Sequence, residues 1–279
     1  MKLGLVAGGG DLPVALAEAC TAAGRPLFVL RLRGFADPAA LARFPGEEVG
    51  IAELGRIFAL LREAGCGAVC LAGQVKRPDF SALKPDLRGL RSLPAAIAAA
   101  RKGDDALLRF LVAEFEGEGF TVEGADQVHA GLTLPPGLLG RHAPGPEHQA
   151  DLAQALAAAR TVGALDIGQA VVVAGGVMLA VEAQEGTDAM LARCAALPAT
   201  LRGTADARCG VLVKWPKPIQ ERRVDLPTLG PATVEGAAAA GLAGIAAEAG
   251  GLLVLQREAV VALADRLGLF VVGLPGEGC

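Results

Sequence analysis

The chain has 279 residues, enough for one large or two modest domains. Apolar residues make up 52% and charged ones 20%, so a sizeable core forms and overall disorder is excluded. Nine Phe, one Trp and no Tyr leave few rings on which bases stack, and 26 Lys and Arg against 30 Asp and Glu give a net charge of −4, so a nucleic-acid binder is disfavoured.

In chain order, 2–7 reads as a short strand running into Gly8-Gly9-Gly10, with no signal-peptide pattern ahead of it. Residues 11–24 follow with helical spacing and a glycine stop. The spacing then predicts a strand over 26–33, an amphipathic helix over 52–65 and a buried strand over 66–75. This alternation implies a parallel sheet covered by helices. Helices are expected over 92–102 and 104–116, and a strand over 120–128. Segment 132–148, rich in Pro and Gly, reads as a linker between an N-terminal domain, 1–131, and a second domain, 149–279.

The second half starts with a helix over 149–165 and a hairpin over 169–185 turning at Gly175-Gly176. A helix over 187–198 and a strand over 210–218 follow. Residues 232–250 read as one small-residue helix, and a strand, helix and strand close the chain over 250–273. The fold class is α/β: a Rossmann-like parallel-sheet domain, then an α/β domain with a mixed sheet. No stretch of 18 strongly apolar residues suggests a membrane span. The six cysteines read as reduced core residues of an intracellular protein, and the three histidines lack metal-ligand spacing.

Four places can carry chemistry. In VAGGGDLP (6–13), a glycine turn before a helix lets backbone N–H groups approach a phosphate, and Asp11 can cap the helix. The dinucleotide fingerprint is incomplete there, with Pro13 at its last position and Arg31 and Arg33 where an NAD site needs an acid. In AGQVKRPDF (72–80), Gln74, Lys76 and Arg77 sit where open sheets bind ligands, or simply form a polar loop. In EAQEGTDAM (182–190), Thr187 and Asp188 either cap a helix or hold phosphate and metal. In KWPKPIQERRVDLPTLGP (214–231), Lys214, Lys217, Arg222 and Arg223 crowd about Asp225, a pattern suited to phosphoanhydride cleavage or to a solvated loop.

Taken together, AGGGDLP, AGQVKRPDF, KGDDALLR, DIGQAVVV, VEAQEGTDAM, GVLVKWPKPIQERRVDLPTLGP and AGLAGIAAEAG resemble the LpxI family, in order and over nearly the whole chain. The resemblance implies a cytoplasmic enzyme of lipid A synthesis. It would hydrolyse UDP-2,3-diacylglucosamine to 2,3-diacylglucosamine 1-phosphate and UMP, with Mg²⁺, in a cleft between two domains. It implies Asp225, Asp188, Lys214 and Lys217 as catalytic residues, with Asp225 and Asp188 as metal ligands. Gly8, Gly9, Gly10, Asp11, Leu12, Gln74, Val75, Lys76, Arg77, Thr187 and Arg222 are its implied substrate contacts. Gln74 stands where the family pattern has lysine, and Trp215 and Pro216 where small residues are expected. An amphiphilic substrate implies transient membrane contact, though no basic amphipathic anchor stands out, and a homo-oligomer is allowed. A nicotinamide-dependent oxidoreductase and a non-catalytic nucleotide-sugar or lipid-binding module are the alternatives.

Overall fold

The computed structural model describes residues 1–76, 80, 82–218 and 220–276. Arg77, an expected substrate contact, lies outside them. The chain divides into two compact units. Unit 1 comprises Met1–Gly131 and Arg223–Asp225, and unit 2 comprises Leu132–Arg222 and Leu226–Cys279.

Unit 1 runs β1 (Leu3–Ala7), α1 (Leu12–Ala22), β2 (Leu27–Leu32), β3 (Gly46–Val49), α2 (Leu54–Glu63), β4 (Ala68–Ala72), α3 (Leu87–Ala100), α4 (Asp104–Gly117), β5 (Thr121–Val122) and α5 (Ala125–Val128). Its five strands are all parallel, in the order β3-β2-β1-β4-β5. Central β1 is buried throughout, as a strand covered on both faces must be. Phe58, Phe115 and Phe120 pack as one aromatic cluster, with centroids 5.2–6.4 Å apart. A third of the chain's phenylalanines therefore serves this one core. Two elements differ from expectation. β3 escapes the apolar pattern because only Val49 of its four residues is buried. The strand expected over 120–128 is two residues long before the chain turns into α5.

Unit 2 runs β6 (Gly137–Leu138), α6 (Gln149–Ala164), β7 (Ala170–Ala174), β8 (Val177–Val181), α7 (Thr187–Ala195), β9 (Val211–Lys214), β10 (Thr228–Leu229), α8 (Pro231–Ala239), β11 (Gly244–Glu248), β12 (Leu253–Val254), α9 (Arg257–Leu267) and β13 (Phe270–Leu274). A mixed six-stranded sheet has the order β6-β13-β11-β9-β7-β8. β9, β11 and β13 are parallel, while β7 is antiparallel to both β9 and β8. Alternation along the strands gives each face its own core. Val172, Leu212 and Ile245 pack in the cluster that includes Met190 and Leu191 of α7, and Val171, Val173, Val211 and Val213 pack in the one that includes Leu152 and Ala155 of α6. The hairpin turn is held by buried Asp151, whose oxygens accept from the Gly175 and Gly176 amides at 2.9 and 2.7 Å.

Two expectations need correction here. The segment 132–148 is not a free linker: Leu134 is a core residue, and β6 pairs with β13. Backbone bonds from Leu134 to Leu252 and from Gly250 to Leu134 fix it further. Pro and Gly shorten its regular structure without loosening it. Nor is 232–250 one helix. α8 ends at Ala239 and the second part becomes β11, in the middle of the sheet. Its Ala- and Gly-rich sequence carries no apolar contrast to separate a 3.6 period from a period of two.

Candidate functional site

In unit 1 the strand order reverses at β1, with β2 on one side and β4 on the other, and open α/β sheets hold ligands at the carboxyl ends beside such a point. Gly8–Gly10 and Gln74–Lys76 lie there. Gly9 and Gln74 form an antiparallel bridge, each amide donating to the other's carbonyl at 2.8 Å. Gly8 N–H donates to Ala72 O, also at 2.8 Å. The Gly8 and Gly9 amides therefore sew two loops together and are not a phosphate cradle, contrary to expectation. Close approach explains these glycines: a Cβ on Gly8 would lie 2.8 Å from Gln74 O, and one on Gly73 2.6 Å from Gly9 O. Gly10 is exposed, with φ +81°, and it leads into the first turn of α1, where helix amides lack intrahelical partners. Asp11 takes the N-cap position in a helical conformation without a capping bond from its side chain, so the expected cap does not form. Leu12 opens α1, and Gln74, Val75 and Lys76 are exposed at the same edge.

In unit 2 the polar groups gather at one edge of the larger sheet. β8, β9 and β11 end at this edge and β7 begins there. Glu182 follows β8, Lys214 closes β9, Glu248 closes β11, and Gln169 precedes β7. Glu182, Lys214 and Glu248 are 4–7% exposed. Buried charges at strand ends must be paired or bonded. Lys214 Nζ donates to Thr228 O at 2.7 Å. Burial lowers the Lys214 pKa from its ordinary value, opposed by the nearby Glu182 and Asp188 carboxylates.

Thr187 is the first residue of α7, after Gly186 at the N-cap. Its hydroxyl donates to Glu182 Oε1 at 2.8 Å, rather than capping its own helix. A threonine hydroxyl has one proton, so Thr187 Oγ1 keeps only acceptor capacity. It therefore suits a hydrogen-bond donor or a cation, not the phosphate oxygen expected of it. Asp188 is exposed in the first turn of α7.

The four cations of the 214–223 loop have four different partners. Besides Lys214, Lys217 pairs with Asp166 at 2.6 Å, Arg222 pairs with Glu248 at 3.1 Å, and Arg223 pairs with Glu116 at 2.6 Å. Each of these three takes a carboxylate that spacing in sequence does not specify. The DLPT segment is shared out in the same way. Asp225, half-buried, ends the stretch that clusters with unit 1, where Val224 packs on the core. Pro227 and Leu229 accept from Leu253 and Leu255 N–H in unit 2.

Mg²⁺ is commonly held by one or two carboxylates, with water and substrate phosphates completing its shell. Asp188, in unit 2, and Asp225, in unit 1, are each a hard oxygen donor of that kind. Among the described residues no group of three or more His, Cys, Asp or Glu forms an all-protein cage. Glu182, Gln169 and Glu248 are the residues that sequence reasoning did not single out. Their signal was present: a lone polar residue closing or opening an apolar strand marks the ligand edge of a sheet. Among the described residues, Glu248 Oε2 and Gln169 Oε1 are buried without a hydrogen-bond partner, although the former lies in the Arg222 ion pair.

Comparison with known proteins adds the following. A model of the LpxI N-terminal domain matches residues 2–132, and one of the LpxI C-terminal domain matches residues 135–272. The UDP-2,3-diacylglucosamine pyrophosphatase LpxI of Caulobacter vibrioides is 64% identical over 273 residues, covering 98% of this chain and 97% of that protein. Among solved structures, CobK precorrin-6A reductase aligns over 100% of this chain and 90% of its own, at 17% identity and a TM-score of 0.34. The UDP-glucose 4-epimerase of Thermus thermophilus aligns over 99% and 86%, at 14% identity and a TM-score of 0.33.

Proposed function

The chain belongs to the LpxI family, and on that premise we propose that it hydrolyses UDP-2,3-diacylglucosamine to 2,3-diacylglucosamine 1-phosphate and UMP, a step of lipid A synthesis. The observation that carries this reading is the 64% identity to a pyrophosphatase of that name, running almost end to end in both proteins.

Water attacks the sugar-side phosphorus. A new P–O bond forms, the bond to the UMP oxygen breaks, and the water gives up a proton. Asp225 orients this water and takes up the proton. Asp188 and Asp225 are the proposed Mg²⁺ ligands, and Mg²⁺ supplies neutralisation of charge on the phosphates. The amides opening α1 and α7 suit the anionic oxygens, since helix starts carry unpaired donors and positive potential. Gly10, Leu12, Gln74, Val75 and Lys76 are proposed contacts of the nucleotide, held by backbone and amide groups for want of rings. Thr187 accepts a donor from the substrate. Lys214, buried and bonded to Thr228 O, acts by holding the loop that follows Asp225, while Lys217 and Arg222, ion-paired with Asp166 and Glu248, are proposed to meet the negative charge of the substrate.

No helix among the described residues is long and apolar enough to cross a membrane. The proposal places the enzyme in the cytoplasm, working at the membrane surface that supplies its lipid substrate.

The test is UMP release from UDP-2,3-diacylglucosamine by the full chain with Mg²⁺. Loss of a group that handles the water's proton lowers the rate by on the order of 10²–10⁴, and Asp225→Ala is expected in that range. No UMP from the parent, or an Asp225→Ala variant as active as the parent, would overturn the proposal.

A further inference from the structure

Residues 84–102 are unlike the rest of this acidic chain: they hold five cations, Lys84, Arg88, Arg91, Arg101 and Lys102, and one carboxylate, Asp86. That carboxylate is consumed within the fold. It caps α3 by accepting from Gly89 N–H at 2.8 Å and accepts from Arg56 N–H of α2 at 2.9 Å. Arg88 is consumed too, by Glu114 and Glu118. The other four cations are exposed, and none is ion-paired among the described residues.

α3 buries Gly89, Ser92 and Ala100. Its opposite side exposes Leu87 (79%), Leu90 (56%), Pro94 and Ala98. Steps of three and four residues put these on one face. Lys84 lies in the non-helical segment before α3, Arg91 lies on the stripe between Leu87 and Pro94, and Arg101 and Lys102 follow Ala98 by one turn. The outer face of α3 thus consists of apolar residues with Arg91 among them, followed by two further cations, and residues 87–102 hold no carboxylate. Two leucines facing water at this exposure have no structural reason within unit 1, whose core is complete without them.

We propose that the outer face of α3 is the docking surface for an anionic lipid bilayer, lying flat in the headgroup region with Leu87 and Leu90 inserted and Lys84, Arg91, Arg101 and Lys102 meeting lipid phosphates. Apolar area and attraction to anionic lipid act together in such helices. The choice of a bilayer over a protein partner follows from the charge. A second copy of this chain would bring the same unpaired cations against themselves. The inference deepens the proposed work at a membrane surface and rests on that reading for its purpose, though its test needs no nucleotide substrate.

The test is cosedimentation of the full chain with phosphatidylglycerol–phosphatidylethanolamine vesicles, against pure phosphatidylcholine vesicles. The parent is expected to bind the anionic vesicles, and to bind less as salt is raised. Leu87→Ser with Leu90→Ser is expected to lower the partition by at least ~10-fold, and Arg91→Glu to weaken it more at low salt than at high. Both leucines are exposed, so the variant keeps the parent's circular dichroism. It should also release UMP at the parent's rate from substrate in nonionic detergent micelles, and more slowly from substrate in anionic vesicles. A parent that stays in solution with anionic vesicles, or a double variant that binds as the parent does, overturns the proposal. So does a self-association by sedimentation velocity that the double variant abolishes, since the face would then be an interface between copies. Failure of the enzymatic reading would show separately, as no UMP from micelles.

Discussion

Replacing Lys214 by Met tests the edge of the unit 2 sheet most directly. The side chains are close in volume, so the change removes charge and a donor with little change of packing. The bond to Thr228 O is 2.7 Å and charge-assisted, worth about 1.5–3 kcal/mol. The change also leaves the Thr228 carbonyl without its donor, at a cost of about 1–3 kcal/mol where that acceptor is shielded from water. Against these stand relief from burying the ammonium and the burial of a Met, about 1.5–3 kcal/mol. The net expectation is a loss of ~1–3 kcal/mol, or roughly 2–12 °C in melting temperature for a unit of this size. Trp215, the one tryptophan of the chain, is the next residue and is 5% exposed, so its fluorescence reports urea unfolding of unit 2. The pH dependence supplies a second sign. Burial depresses the Lys214 pKa in the folded chain below its ordinary 10.5. Between the depressed value and 10.5 the unfolded chain binds more protons, so stability gains with rising pH in that window and is flat below it. The Met variant lacks this gain. A variant as stable as the parent at neutral pH, with the same alkaline profile, would refute the role given to this ammonium.

The remaining expectations are simpler. Asp151→Ala removes two carboxylate bonds to the hairpin amides, at 2.9 and 2.7 Å, and should destabilise unit 2 by about 2–4 kcal/mol by Trp215 fluorescence, with Asp151→Asn milder. Gly8→Ala drives a Cβ against Gln74 O and the Gly73 backbone, neither of which is a flexible side-chain end, and should cost about 1–3 kcal/mol in a far-ultraviolet circular dichroism melt. Burial pushes the Cys70 thiol up to about 12, with Glu123 adding to it, so a thiol reagent at about pH 8 should label partly exposed Cys209 well before Cys70, and Cys70 only after denaturant is added. Labelling of Cys70 in the native chain at the Cys209 rate would contradict that burial.

Local pattern made much of this molecule legible. α2, with its apolar face of Leu54, Ile57, Phe58 and Leu61, follows from spacing alone, as do β1, β2, β4 and α9. The glycine loop, the EGTD turn and the DLPT segment stood out because residue types at fixed spacing announce turns and charge. The signal failed where contrast was missing. β11 was hidden among alanines and glycines, β3 among glutamates, and the basic face of α3 beneath a net charge that is negative for the whole chain.

The sequence by itself determined the alternation of elements, the strand-end glycines and the family to which the chain belongs, because these depend on neighbours in the chain. Tertiary structure alone decided what each polar group is bonded to. Gly8 and Gly9 turn their amides to the loop after β4, and Thr187 gives its proton to Glu182. The four loop cations disperse to four separate partners, and Asp225 parts from Pro227 at the boundary between units. The reason is physical: a hydrogen bond or an ion pair forms with whatever the fold brings within about 3 Å, and residues far apart in sequence meet only when the strands have paired.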